Sequence, residues 1–357
     1  MRAQLPIKLR RGSLFLCLAC LSACDLPTES PIFETRWTFP IEGTGTTIAV
    51  AELLPSSVTI SGGEFQVAVD PFSFVETLGG LCSTCAEVNG LTVPKPQFQF
   101  AFSDVTSLPA DVESVNLSTG SLTVRVTNNL GFDPIRPGVG ITGTLTITVY
   151  DATIGGRQLD QVILDGTVDA LPNGTAVDVP VSLAAGVVSS TIVAVVAVDS
   201  PLGDPVLVDT GAQLNIGVTF GVIAATSATI DASGQVIAID QVAMDVEEID
   251  SDIVEKIVSG AVVLDITNPF GVALNVTIDI GGPTIQTISK AVSITSDATS
   301  QARLEYTSLE LQTFLGQMGV TIGGSGTVDA GAGSAVVTPL QVAVIDTSVD
   351  AVVEIGR

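Results

Sequence analysis

Along much of this chain apolar and polar residues alternate. Gln66 and Ala68 separate Phe65, Val67 and Val69; Gln99 and Ala101 separate Phe98, Phe100 and Phe102. A period of two puts every second side chain on one face, so each run predicts a β-strand with one buried side. Ile192 to Val198 is apolar throughout and predicts a strand covered on both faces. Glycine, asparagine and proline between the runs suit turns.

The pattern repeats. Gly120-Ser121-Leu122-Thr123-Val124-Arg125-Val126-Thr127-Asn128-Asn129-Leu130-Gly131 aligns without gaps with Gly260-Ala261-Val262-Val263-Leu264-Asp265-Ile266-Thr267-Asn268-Pro269-Phe270-Gly271, an offset of 268 − 128 = 140 residues. The expected buried faces are Leu122, Val124 and Val126 in one copy and Val262, Leu264 and Ile266 in the other. Each strand ends at Thr-Asn, followed by a turn that Gly closes. A second alternating strand follows in each copy, Leu145-Ile147-Val149 and Leu274-Val276-Ile278-Ile280. Further on, Val181-Ser182-Leu183 pairs with Thr307-Ser308-Leu309, and Gln213-Leu214 with the Gln341 strand. The fold class that follows is all-β: tandem antiparallel β-sandwich-like domains with at most one or two short helices. Residues 45–110 form an N-terminal β region, 111–244 the first repeat and 245–357 the second. The N-terminal region is either a third, smaller domain or extra strands on the first.

One segment breaks the period. Leu311, Phe314, Leu315 and Met318 recur at helical spacing after Ser308, a suitable N-cap. Two readings are open: a helix that closes one end of a sandwich, or an apolar lid over a groove.

The stretch Asp265-Ile266-Thr267-Asn268-Pro269 with the strand Leu274 to Ile280 resembles the WHy type of late-embryogenesis-abundant domain. That resemblance implies an antiparallel β-sandwich and transfers no functional residues. The first copy departs from it, with Asn129 in the place of the proline.

The N-terminus carries a second resemblance. Arg2, Lys8, Arg10 and Arg11 precede a short apolar run, and Leu21-Ser22-Ala23-Cys24 follows. This is similar to a bacterial lipoprotein signal peptide, residues 1–23, with its lipobox. The apolar run is far short of the ~20 residues a spanning helix needs. The resemblance implies export, diacylglycerol on Cys24 and anchoring in the cell envelope. The outer membrane is favoured; Asp25, directly after the cysteine, keeps the inner membrane open. Residues 24–44 read as a tether, kept extended by Pro27, Pro31 and Pro40. Trp37 and Phe39 are expected to pack into the core where the chain first meets the folded body.

Composition narrows the chemistry. The chain of 357 residues has 13 basic and 38 acidic residues, and the signal holds four of the basic ones, so the mature charge is 9 − 38 = −29. So acidic a surface argues against nucleic acid as a partner. The chain has no histidine, which removes Ser-His-Asp and Cys-His catalysis and the common zinc sites.

Three motifs remain. Cys82-Ser83-Thr84-Cys85 lacks the βαβ setting of a redox site and the further ligands of a zinc site, and reads as a short disulfide in an oxidising compartment. Asp245, Glu247, Glu248, Asp250 and Asp252 crowd between the repeats. They read as a solvated edge, with a calcium site as the alternative. Gly323-Gly324-Ser325-Gly326 lacks the lysine of a P-loop and reads as a flexible turn. No motif calls for a cofactor or a metal. The functional expectation is a non-enzymatic, lipid-anchored envelope protein, a structural or adhesin-like binding scaffold whose partners are the membrane and an envelope protein. The alternative is a carrier of lipids or other apolar molecules in a groove between β lobes.

Overall fold

The structure, a computed structural model, describes residues 32–40, 45–329, 331 and 333–355. The lipobox, Cys24 and Asp25 lie outside the described residues. Strand makes up 61% and helix 8%, as the alternating patterns require. The first strands are β1 (Phe33–Pro40), β2 (Thr46–Ala49), β3 (Val58–Ser61), β4 (Glu64–Val67), β5 (Phe72–Thr77), β6 (Thr92–Pro94) and β7 (Phe98–Ser107). The first repeat supplies β8 (Val112–Asn129), β9 (Thr144–Asp151), β10 (Gln158–Asp165), β11 (Thr175–Leu183), β12 (Gly186–Ser189), β13 (Thr191–Ser200), β14 (Pro205–Leu207), β15 (Gln213–Asp231) and β16 (Val236–Ala243). The second supplies β17 (Ile257–Thr267), β18 (Leu274–Gly282), β19 (Ile285–Ile294), β20 (Thr299–Thr307), β21 (Thr321–Val328), β22 (Ser334–Val337) and β23 (Val342–Ile355). Helix is confined to α1 (Leu78–Leu81), α2 (Ser251–Val254), α3 (Ser308–Phe314) and two 3-10 segments; of the α-helices only α3 exceeds a single turn.

The strands form two sandwiches of one design. In the first, a sheet containing β11-β8-β15 faces a sheet ordered β10-β9-β13-β7. In the second, β20-β17-β23 faces β19-β18-β21-β16. The repeat is therefore structural as well as sequential: β8 and β17, β9 and β18, and β15 and β23 occupy equivalent places. Leu122, Val124, Val126, Leu145, Ile147 and Val149 are buried in the first, and Val262, Leu264, Ile266, Leu274, Val276 and Ile278 in the second. Each such side chain contributes about 1.5–3 kcal/mol on burial.

Strand pairing keeps the match of Gln213-Leu214 with the Gln341 strand, as β15 with β23, and corrects the match of Val181-Ser182-Leu183. Leu183 lies opposite Gly120, and Tyr306 lies opposite Gly260. Leu183 therefore corresponds to Tyr306, and not to Leu309. The Gly323–Gly326 stretch lies within β21, not in a turn. Small residues are needed there because β18 presses close: a Cβ on Gly326 would sit 2.5 Å from Val276 Cγ1.

The two sandwiches are nested. The outer edge of β23 is filled by β2, Thr46↔Ile345 to Ala49↔Val342, and by β1, Phe33↔Ile355 to Pro40↔Ser348. Two strands from the start of the chain thus complete the second sandwich, and the first sandwich is inserted between β2 and β16. The expected tether 24–44 therefore contains a strand. Its eight residues hold their only proline at the end, and Phe33, Thr35, Trp37 and Phe39 alternate with Glu34, Arg36 and Thr38. Trp37 is 37% exposed and is not a core residue. The N-terminal β region 45–110 is shared out: β2 joins the second sandwich, while β3, β4, β5 and β7 extend the sheets of the first. In return β22 crosses over and pairs with β15, Ala228↔Val337 to Asp231↔Ser334. One continuous apolar cluster runs through both sandwiches.

Candidate functional site

The most chemically distinctive residue of the fold is Lys95. It sits between Pro94 and Pro96, directly after β6, and the prolines keep the backbone extended. Its N–H donates to the Asp204 carbonyl at 3.1 Å, and its own carbonyl accepts from the Gly203 N–H at 3.1 Å. The side chain turns inward and is fully buried. Nζ donates to Ser200 Oγ at 2.6 Å and to the Pro201 carbonyl. The rings of Phe98 and Phe132 lie with their centroids 4.9 and 5.5 Å from Nζ, within range of cation–π attraction. Burial strips water from the ammonium and pushes its pKa down to about 8, while the Asp199 carboxylate works in the opposite direction.

A serine beside an amine of lowered pKa is an arrangement that can activate a nucleophile. Here the geometry points elsewhere. Ser200 is fully buried, and its hydroxyl donates to the Pro134 carbonyl at 2.5 Å. Lys95 donates to Ser200 rather than accepting its proton. The pair ties β6, the end of β13 and the 133–143 loop into one block.

On that block lies an open cleft of about 500 Å³, lined by Arg136, Gly138, Val139, Ile141, Thr167 and Asp204 among others. Asp133 shapes the cleft wall: Oδ1 accepts from the Ile135 and Arg136 N–H groups at 3.0 and 2.9 Å, and Oδ2 accepts from the Leu171 N–H at 2.8 Å. Arg136 Nε donates to the Gly166 carbonyl at 2.9 Å, which orients the guanidinium and leaves its two terminal nitrogens for other acceptors. The Asp204 backbone is held on both sides, by Lys95 and by Pro137. The cleft therefore offers one cation, one anion and the apolar side chains of Val139 and Ile141. Sequence reasoning missed it. A lysine flanked by prolines carries no pattern that marks it as buried, and the cleft residues come from three separate loops.

Lys95 makes a testable pH dependence. Its folded pKa lies below the unfolded 10.5, so between about pH 8 and 10.5 the unfolded chain binds more protons than the folded one. Stability from this group is therefore missing at neutral pH and rises with pH through that window. From pH 7.5 to 9.5 the expected gain is about 2 kcal/mol. Tyr306 acts oppositely: burial raises its pKa, so it removes stability only above the ordinary tyrosine range. Urea midpoints at the two pH values check this, and Lys95→Met is expected to abolish the rise.

The residues singled out from sequence lie elsewhere. Cys82 and Cys85 form a disulfide and are buried, Cys82 directly after α1 and Cys85 within the 3-10 segment Ser83–Val88. Asp245, Glu247, Glu248, Asp250 and Asp252 are exposed, on a loop and on α2 rather than on a strand. Asp250 Oδ1 accepts from the Asp252 N–H at 2.8 Å and caps α2. Among the described residues no group of three or more acidic, cysteine or histidine side chains is placed to hold a metal. No helix of the described chain is long and apolar enough to cross a membrane.

The lid residues are core, with one exception. Leu311, Phe314 and Leu315 are 0, 0 and 1% exposed, whereas Met318 is 77% exposed and lies beyond the end of α3. Leu311 packs over Gly260, where an added Cβ would sit 2.9 Å from Leu311 Cδ1. Phe314 meets Tyr306 edge-on, with centroids 5.8 Å apart. The helix starts at a capping box: Glu310 N–H donates to Thr307 Oγ1 at 3.3 Å, and the Thr307 N–H donates to Glu310 Oε2 at 2.8 Å. Lys290 Nζ donates to Glu310 Oε1 at 2.8 Å. That bond and the cap hold the Glu310 carboxyl below its usual pKa. Helix α3 thus packs Leu311 and Phe314 against the end of the second sandwich, and Leu315 is buried just beyond it.

No family model matches the chain, and no curated protein sequence matches it. Solved structures with partial likeness include a protein of Parabacteroides distasonis described as secreted, 11% identical, with a TM-score of 0.33, over 89% of this chain and 99% of that one. The infectious bursal disease virus VP2 subviral particle matches at 15% identity and a TM-score of 0.21, over 91% of this chain and 72% of that one. The tandem CBM22 domain of a Paenibacillus barcinonensis protein matches at 11% identity and a TM-score of 0.18, over 85% and 96%. These scores are too low to carry a functional argument, which rests on the chain's own chemistry.

Proposed function

We propose that this chain is an exported protein held to the bacterial envelope by lipid on Cys24, and that it works as a non-enzymatic binding scaffold. The observation that carries the reading is the single apolar core running through two interlocked sandwiches. The segment after Cys24 enters the last strand's sheet through β1, and β22 stitches the second sandwich to the first. A pull on the anchor is thereby spread over both sandwiches. The cleft of Arg136 and Asp204 is the surface this rigid body presents to another envelope component. Burial of Leu311, Phe314 and Leu315 speaks against the carrier alternative.

Cys24 is the test of location. Wild-type protein is expected in the membrane fraction with a diacylglycerol-modified N-terminus, and Cys24→Ser in the soluble fraction or unprocessed. A Cys24→Ser variant that stays with membranes, beside a wild type of unmodified mass, overturns the anchor.

A further inference from the structure

Strand β1 lies at the edge of its sheet. It pairs with β23 on one side and with no strand on the other among the described residues. An unpaired edge presents free N–H and C=O groups, and proteins usually blunt it with lysine, proline or a bulge. In β1 there is no lysine, the register with β23 has no bulge, and the sole proline is the last residue. Instead, the edge exposes aromatic side chains: Phe33 is 63% and Trp37 37% exposed. Both lie on one face with Thr35, and Glu34 and Arg36 lie on the other. Among the described residues neither Glu34 nor Arg36 forms a salt bridge, and the Arg36 charge reaches only as far as helping to hold the Asp350 carboxyl below its usual pKa.

The order aromatic–acid–threonine–base–aromatic, Phe33-Glu34-Thr35-Arg36-Trp37, is complementary to its own reverse. We propose that β1 pairs antiparallel with β1 of a second copy of this chain, about a twofold axis at Thr35. Partners across an antiparallel pair keep a constant sum of residue numbers, here 35 + 35 = 70. Phe33 then faces the partner's Trp37, and Glu34 faces the partner's Arg36. Symmetry makes each contact twice. Two aromatic pairs lie on one face of the joined sheet and two opposite-charge pairs on the other, the cross-strand combinations that favour pairing. Any other register of the same two strands breaks one set or both. The interface is isologous and closes as a dimer, so it does not propagate into fibres.

The dimer also suits the anchor proposed above, although it does not depend on it. Cys24 precedes Phe33 by 33 − 24 = 9 residues, a reach of at most about 30 Å. The two copies of Phe33 lie about four strand residues apart, roughly 13 Å along the strand. Both anchors therefore reach one bilayer, and confinement to a surface raises the effective concentration.

The experiment uses the unlipidated mature chain from residue 25, which contains every described strand. Sedimentation equilibrium is expected to give a monomer–dimer equilibrium. Trp37 is the chain's sole tryptophan, so its emission is expected to shift to the blue as concentration rises. Arg36→Glu and Glu34→Arg each put like charges opposite one another, and each is expected to weaken the dimer by about tenfold or more, because symmetry doubles every contribution. Mixed in equal amounts, the two variants are expected to pair with each other, and the double variant Glu34→Arg/Arg36→Glu to recover the wild-type dimer. Both positions are exposed, so unchanged urea midpoints are expected to show that the fold is intact. A wild type that stays monomeric, single variants that dimerise as well as wild type, or a mixture that does not recover pairing overturns the proposal. None of these outcomes bears on Cys24, so the anchor stands or falls separately.

Discussion

Asn268→Ala is expected to destabilise the protein by about 4 kcal/mol, and Asn128→Ala by a similar amount. The two residues occupy the same place in the two repeats and do the same work. Both are buried, at 2% and 0% exposure. Asn268 Nδ2 donates to the Val272 and Thr295 carbonyls at 2.8 and 3.0 Å, and its Oδ1 accepts from the Phe270 N–H at 3.2 Å. Asn128 Nδ2 donates to the Phe132 and Leu171 carbonyls at 2.8 and 2.5 Å, and its Oδ1 accepts from the Leu130 N–H at 2.9 Å. Each side chain thus stands in for a partner strand at a turn where the backbone has none. Alanine leaves two carbonyls and one N–H buried without partners, each at about 1–3 kcal/mol. Asn268→Asp separates the donors from the acceptor. A carboxylate keeps the bond from Phe270 but faces two carbonyls with no proton to give. Its folded pKa is raised above the unfolded value, so protonation stabilises the fold and stability falls as pH rises through that folded pKa. Denaturant midpoints for the three variants check this. A loss below about 1 kcal/mol in Asn268→Ala means that water replaces the side chain and the turn does not depend on it.

These asparagines mark what was legible before the fold was known. The Thr-Asn ending and the closing glycine are local signals, and Gly131 and Gly271 do take positive φ, at 89° and 70°. The apolar alternation of β8, β9, β17 and β18 is local too, and each strand buries the face its pattern assigns. Partner choice is not local. Nothing in Phe33 to Pro40 names a strand more than 300 residues away, yet Thr38 Oγ1 donates to Asp350 Oδ1 at 2.6 Å across that separation. Pro31 and Pro40 suit an extended tether, and the period-two pattern between them is the local signal of a strand. Lys95 was hidden for a different reason. Its burial depends on two aromatic rings and two acceptor oxygens gathered from three segments, and single-residue spacing does not encode such a gathering.

Phe314→Ala is expected to cost about 3–5 kcal/mol, the range for emptying a buried aromatic position. The side chain is fully buried against Tyr306, whose own ring is 3% exposed and carries the Lys290 ammonium at 4.9 Å from its centroid. The neighbouring anchors are rigid: the capping box fixes the start of α3, and Leu311 rests on Gly260, so little can move inward to fill the space. Leu309→Ala and Met318→Ala serve as controls, since those residues are 75% and 77% exposed and truncation there is expected to change stability by less than about 0.5 kcal/mol. The contrast decides between the two roles a helix at the end of a sandwich can have. A lid over an apolar groove closes and opens at little cost to the fold, so truncating its underside lowers ligand retention and leaves the urea midpoint nearly unchanged. A plug is part of the core, and its truncation appears in the midpoint of the whole chain, because the apolar cluster is continuous through both sandwiches. If Phe314→Ala unfolds at the wild-type midpoint while losing co-purified lipid, the carrier reading returns and the scaffold falls.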